Sequence, residues 1–403
     1  MATGNNRYSG VRTTAIHAGE APDPATGASA PNIVMSSTYV VEEPAGFSAH
    51  DLTEDSPYLY SRWANPTVAM LEAKLAALEG TETAAAFASG MAAASAIFLG
   101  TLSAGDHCIV SDVCYAGVAE LARDTLPRFG IDVTRVDMSD LAAVAAAFGP
   151  RTKLVHMESP ANPIMRLTDI AAVAKLAHEN GARVSCDATF ASPIATRPAA
   201  LGVDYVMHSA TKYLGGHGDA VGGIVAGRAE LIRPLVTEAT IHGGGVMSPF
   251  NAWLIARGMA TLPIRMRAHE ETSLAVAAWL EAHPRVSRVI YPGLQSHPQH
   301  DLAKSQMDNF SGMMAFQVGD RATGDAIAAR MTRDLQVIHY AVSLGHHRSL
   351  VFWMPTDDLL ASSFRLDAAG TDCFRRYAGD GIFRFSVGLE DAEDLIADLD
   401  RVL

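Results

Sequence analysis

The chain has 403 residues, 49% hydrophobic and 19% charged, a balance that suits a soluble enzyme with a large core rather than a disordered or fibrous chain. Acidic residues exceed basic ones, 44 to 31, and the net charge of −13 argues against nucleic acid or an anionic membrane surface as the main partner, while leaving room for a local cationic pocket. The four cysteines, Cys108, Cys114, Cys186 and Cys373, form no C-x-x-C pair, so the expectation is a reducing cytoplasm rather than a disulfide framework or zinc ribbon.

In chain order, MATGNNRYSGVRTTAIHAGE lacks the apolar core of a signal peptide, and no run of about 18 apolar residues occurs that could span a bilayer. Residues 1–64 are rich in Pro, Gly, Ser and Thr and read as an extended arm, suited to wrapping on a partner subunit. A helix begins at NPTVAMLEAKLAALEG, with Asn65 as cap, Pro66 in the first turn, an apolar face of Val68, Leu71, Leu75 and Leu78, and Gly80 as stop. Apolar runs at 83–89, 107–112, 131–137, 152–159, 183–189, 204–211 and 222–227 then alternate with helical stretches such as 140–148 and 168–179. This pattern predicts a largely parallel, doubly wound α/β domain over 65–262. Beyond it, a long helical stretch over about 248–281, strands at VSRVIYPG, GMMAFQVG and GIFRFSVG, and a helix over 392–403 predict a smaller α+β domain over 263–403.

In an open α/β sheet, ligands bind at the carboxyl ends of the strands, and four polar clusters are expected there. ASGMAAASA offers the amides of Gly90 and Met91 at a helix start, which suits a phosphate or is a plain tight turn. CDATFASP leaves Asp187 at the end of an apolar strand, where a buried carboxylate needs a cation from a cofactor or a structural ion pair. HSATKYLGGHGD sets Ser209, Thr211 and Lys212 between an apolar strand and a Gly-rich loop, a setting for a desolvated reactive amine that can form a Schiff base. YLYSRWANPT ends the arm with Tyr60 and Arg62, either surface residues or a pair that closes on a phosphate. Together these are the parts of a pyridoxal phosphate site: an amine for the aldehyde, a carboxylate for the pyridine nitrogen and donors for the phosphate.

The chain resembles the Cys/Met-metabolism family of pyridoxal-phosphate enzymes, which includes cystathionine γ-synthase, cystathionine γ-lyase and methionine γ-lyase. The resemblance runs through TTAIHAGEAPDPATGA, YSRWANPT, ASGMAA, ESPANP, HSATKYLGGHGD, IARGMATLPIRM, VIYPGL and FRFSVGLED. It implies a fold-type-I, transferase-like α/β architecture, pyridoxal 5'-phosphate as cofactor and a small amino acid as substrate. It further implies a homotetramer made of two active dimers. By the same resemblance Lys212 forms the Schiff base and shuttles protons, Asp187 pairs with the pyridine nitrogen, and Tyr115 stacks on the ring and serves the leaving group. Gly90, Met91, Ser209 and Thr211 hold the phosphate, with Tyr60 and Arg62 arriving from a neighbouring subunit, and Asn162 contacts the ring hydroxyl. Arg384 forks onto the substrate α-carboxylate with Ser343 nearby.

Departures from the family pattern bear on specificity. The Asn that often follows the ring-binding Asp is Ala188, and the Cys that methionine γ-lyases place two residues after the stacking tyrosine is Gly117. Where the family commonly reads S-L-G-G-x-E-S-L, this chain reads SLGHHRSL, so Arg348 replaces the acid and His346 and His347 enter. Loss of that acid weakens the case for cystathionine. The cluster of His346, His347 and Arg348 either rims the mouth of the site or selects an unusual γ-substituent, a compact nitrogen- or oxygen-linked one such as that of canavanine being a candidate alongside those of methionine and homocysteine. A metal site is disfavoured, because adjacent histidines point apart on a strand. The expected reaction is γ-elimination to a 2-oxo acid and ammonia, with γ-replacement on an activated homoserine ester, β-elimination, or a non-catalytic binding role as alternatives.

Overall fold

A computed structural model describes residues 8–42, 48 and 56–403. The arm expected over 1–64 therefore lies partly outside the described residues.

The apolar runs of the first half become β1 (Thr83–Phe87), β2 (His107–Ser111), β3 (Asp132–Val136), β4 (Thr152–Glu158), β5 (Arg183–Asp187), β6 (Tyr205–His208) and β7 (Gly223–Gly227). They form one sheet in the order β1-β7-β6-β5-β4-β2-β3. Strands β2 to β6 run parallel, and β7 lies antiparallel to both β1 and β6. Every residue of β1, β6 and β7 is buried, because helices cover both faces, and this is why the strands read as unbroken apolar runs. The expected strands at 183–189 and 204–211 stop short, at Asp187 and His208. Their polar tails leave the ladder and turn across the sheet's carboxyl edge.

The helix Pro66–Glu79 begins and ends as its residues dictate. The Asn65 side chain accepts the amides of Thr67 and Val68, and Gly80 closes the helix with φ 73. Lys74 interrupts the apolar face yet is fully buried, its Nζ donating to the Ala15 and Ile16 carbonyls at 2.7 and 3.0 Å and lying 2.9 Å from Glu20. The short helix Val11–His17 is thereby fastened to the α/β body.

The second sheet contains β8 (Arg288–Ile290), β9 (Met313–Gln317), β10 (His339–Tyr340), β11 (Leu350–Pro355) and β12 (Gly381–Ser386), in the order β10-β11-β12-β9-β8. All neighbours are antiparallel except β10 and β11. The helical stretch expected over 248–281 is two helices, Pro249–Met259 and Leu262–Ala282. The chain turns at Thr261, where Pro263 suits a first helical turn and not an interior one.

One buried ion cluster ties the two halves together. Arg166 pairs with Asp112, just beyond β2, and lies 2.9 Å from Asp137, just beyond β3. The Cys373 thiol, on the helix Ala368–Ala378 of the second half, donates to Asp137 at 3.1 Å. Removing one member of such a cluster leaves an uncompensated buried charge. Arg166→Ala is expected to destabilise the fold by about 3–5 kcal/mol in urea denaturation.

Candidate active site

Two carboxylates end adjacent parallel strands. Glu158 closes β4, Asp187 closes β5, and the two are register partners. Asp187 is only 5% exposed and accepts the Thr189 amide at 2.9 Å. It makes no ion pair among the described residues, so the cation expected beside it is not one of the protein's own. Burial raises its carboxyl above the usual range. Glu158 takes the Tyr115 amide on one oxygen and the Asn162 amide on the other, both at 2.6 Å. Burial first, and then the neighbouring Asp187, push the Glu158 carboxyl well above its ordinary value.

Lys212 follows β6 in the next turn. Its Nζ donates to Ser343 Oγ at 2.8 Å. Burial and, after it, the Arg384 guanidinium bring the amine down to about 8, so roughly a tenth of it is neutral at pH 7. Arg384, on β12, donates to Asn162 Oδ1 at 3.0 Å and to the Ser343 carbonyl at 3.2 Å. It is 9% exposed, and burial lowers its guanidinium to about 10. The loop after Lys212 is fixed by Arg265, which donates to the carbonyls of Tyr213, Leu214 and Gly258 at 2.9, 3.3 and 2.8 Å. Gly216 passes so close, with φ 72, that a Cβ there would lie 2.2 Å from Arg265 Nη1.

Gly90 and Met91 open the helix Gly90–Thr101, where the first amides have no intrahelical acceptor. Ser89 satisfies only Ala92, at 3.1 Å. A Cβ on Gly90 would sit 2.9 Å from both Cβ and Oγ of Ser209, so the glycine lets Ser209 pack directly against the helix start. The Thr211 hydroxyl accepts the Gly222 amide at 3.0 Å, which fixes the segment that carries Ser209. Tyr115 is half-exposed, and its ring and Met91 Sδ both flank Gly117.

Tyr60 and Arg62 are not part of this cluster within the chain. Arg62 donates to the Ile241 carbonyl and stands over the Tyr60 ring at 5.4 Å. Arg62 also lines a separate cavity of about 200 Å³ with Trp63, Glu72 and Thr240. Neither Tyr60 nor Arg62 is hydrogen-bonded to Gly90, Met91, Ser209 or Thr211 among the described residues.

Residues 341–349 form bends between β10 and β11. The strand geometry used to set His346 against His347 is therefore wrong, because the strand starts only at Leu350. Among the described residues, no group of three or more His, Cys, Asp or Glu side chains could hold a metal ion. His347 donates its amide to the Gly216 carbonyl at 2.9 Å, and its ring lies 5.6 Å from that of His217. Arg348 is exposed. The imidazole that reaches the lysine's partner is His346, with Nε2 3.4 Å from Ser343 Oγ. Sequence reasoning also passed over Glu158, although it ends an apolar strand just as Asp187 does, and Arg265, whose helical surroundings give no sign of the carbonyls it meets.

This donor set fits pyridoxal phosphate. The helix-start amides of Gly90 and Met91 beside Ser209 suit a phosphate, the buried Asp187 without an ion-pair partner among the described residues suits a ring nitrogen, and Lys212 is a partly neutral amine. The model of the Cys/Met metabolism PLP-dependent enzyme family matches residues 12–403, and the chain belongs to that family. It is similar to a canavanine gamma-lyase of Pseudomonas canavaninivorans, 42% identical over 97% of this chain and 95% of the other. An O-succinylhomoserine sulfhydrylase of Pseudomonas aeruginosa is 41% identical over 97% of this chain and 94% of its own. The crystal structure of cystathionine gamma-lyase from Lactobacillus plantarum, complexed with L-serine, superposes with a TM-score of 0.86 at 37% identity, covering 97% of this chain and 98% of that one.

Pushing Ser209 away from the helix start tests the phosphate assignment. Gly90→Ala is expected to weaken pyridoxal phosphate binding at least about tenfold, near 1.4 kcal/mol, in a titration of the cofactor-free protein.

Proposed function

We propose that the protein is a γ-lyase that removes the γ-substituent of an amino acid, giving a 2-oxo acid, ammonia and the protonated leaving group with uptake of one water. The favoured substrates carry a compact γ-group: methionine, homocysteine, or a nitrogen- or oxygen-linked group such as that of canavanine. The observation that carries this reading is the sharing of Ser343 between Lys212 and Arg384, which sets a carboxylate-binding fork beside a proton-moving amine. Similarity to a canavanine gamma-lyase supports elimination, and similarity to a sulfhydrylase supports γ-replacement as the second reading.

Each residue has a task in this scheme. Pyridoxal phosphate supplies an aldehyde for the amine and a ring that accepts electrons from the substrate's α-carbon. Gly90 and Met91 amides with Ser209 and Thr211 hold its phosphate, Asp187 its ring nitrogen and Asn162 its ring hydroxyl. Arg384 binds the substrate α-carboxylate through two parallel N–H groups. Lys212 would take the α-proton and, once that proton has been passed on, a β-proton. The Tyr115 hydroxyl gives a proton to the departing γ-group.

The same proposal divides the chain into the arm 1–64, a cofactor domain 65–262 and a C-terminal domain 263–403, with the last boundary at the turn between the two long helices. It makes the enzyme a homotetramer in which Tyr60 and Arg62 serve a neighbouring subunit's phosphate, a role consistent with their making no hydrogen bond to Gly90, Met91, Ser209 or Thr211 among the described residues. It puts the enzyme in the cytoplasm, where four free cysteines are at home. Among the described residues, no helix is long and apolar enough to cross a membrane.

The test is 2-oxo acid release from methionine, homocysteine, cystathionine, O-acetylhomoserine and canavanine without added thiol. Release from canavanine, methionine or homocysteine is expected, and Lys212→Ala is expected to lower it at least about a thousandfold. Turnover only when a thiol is supplied would instead make the protein a γ-replacement enzyme. Arg384→Lys, which keeps the charge and loses the fork, is expected to raise KM about tenfold or more in the same assay.

A further inference from the structure

Among the described residues, the free end of Lys212 is set by one hydrogen bond, to Ser343 Oγ at 2.8 Å. A hydroxyl has one proton to give and two lone pairs to accept with. Lys212, as donor, occupies one lone pair, and the Ser343 proton is left to find an acceptor of its own. His346 Nε2, at 3.4 Å, is an acceptor within reach. The imidazole is confined there: Gly218 has φ 70, and a Cβ on it would lie 2.6 Å from His346 Cε1, so the ring rests on bare backbone. Ser343 itself has φ 90, a conformation rare for a residue with a side chain, and its carbonyl is held by Arg384.

We propose that His346 is a positioning residue for Lys212: with Nε2 unprotonated it takes the Ser343 proton and so keeps that proton off the lysine's lone pair. The amine is then free to act as a nucleophile or base rather than capped by its own neighbour. The inference rests on the reading of Lys212 as the reactive amine.

The surroundings of His346 keep Nε2 free of a proton near neutral pH. Burial lowers the imidazole below its ordinary 6.5, and Lys212, His347 and Arg348 add to that lowering, while Asp219 opposes it. As pH falls through the imidazole's range, Nε2 becomes a donor. The Ser343 hydroxyl then loses its acceptor and turns to the Lys212 lone pair. Reactivity of the amine therefore falls on the acid side more steeply than protonation of Lys212 alone dictates.

The experiment measures acetylation of Lys212 by acetic anhydride in the full-length, cofactor-free chain, resolved by peptide mass spectrometry, from about pH 5 to about pH 9. In the wild type, log rate against pH is expected to have a slope above one where the imidazole titrates, at a pH under its ordinary 6.5, and a slope of one above that, up to a plateau. His346→Gln keeps an acceptor that does not titrate, so its plateau stays and its slope is one throughout. His346→Leu removes the acceptor, so its slope is also one and its plateau falls about three- to tenfold, the effect of one hydrogen bond. The proposal is overturned by superimposable profiles, by a wild-type slope of one throughout, or by a Gln plateau that falls as far as the Leu one. Borohydride reduction of the holoenzyme that leaves no cofactor on Lys212 counts against the functional reading alone.

Discussion

Two buried carboxylates side by side, Glu158 and Asp187, govern the arrangement of the site. Parallel register puts the last residues of β4 and β5 next to each other, and each disfavours the charge of the other. Glu158 meets this by accepting two backbone amides, from Tyr115 and Asn162, and by facing Arg384. One side chain thereby fixes the loop that carries the tyrosine and the loop that carries the asparagine bonded to Arg384. Among the described residues Asp187 accepts a hydrogen bond from Thr189 and forms no ion pair, with only the charge of His208 acting on it from nearby. An isolated buried carboxylate is costly, and a site that retains one is built to receive a positive charge from outside the chain.

The lysine loop is held by the opposite means. Arg265 is buried among carbonyls with no carboxylate beside it, and burial lowers its guanidinium to about 10. Its planar fork reaches three carbonyls on two segments, which a compact ammonium group could not match. The Gly-rich run after Lys212 is thus not slack: Gly216 lies against Arg265, Gly218 against His346, and the Gly216 carbonyl receives the His347 amide. These glycines let the lysine loop approach the second half of the chain closely enough for Lys212 to meet Ser343.

Much of this was legible in the sequence. All seven strands of the large sheet were found, most of them because strands buried on both faces are apolar along most of their length, as was the helix whose Asn65 cap and Gly80 stop are local signals. Lys212 and Asp187 stood out as polar residues ending apolar runs. Strand direction left no trace: nothing in GGIVAG says that β7 runs against its neighbours. β11 left little trace because its six residues follow a polar cluster and end on Pro355, although Val351 and Trp353 lie inside. The roles of Lys74, Arg166 and Arg265 were invisible because a long cationic side chain inside a helical or loop pattern reads as surface. Only the fold brings their carbonyl and carboxylate partners to them. His346 rather than His347 faces the lysine because the segment bends where a strand was assumed.

The pairing of β1 with β7 bears on how the chain is made. β1 lies at the edge of the sheet with Thr83 opposite Gly227, and β7 is its neighbour in the ladder. A strand whose partner lies so far along the chain cannot close until that partner has left the ribosome, and the entropy of the intervening loop slows the closure further. Through that interval TAAAF presents an apolar edge with no ladder to join, a state prone to wrong association. The nascent chain thus has an aggregation-sensitive period that ends with the synthesis of β7, well before the second sheet begins.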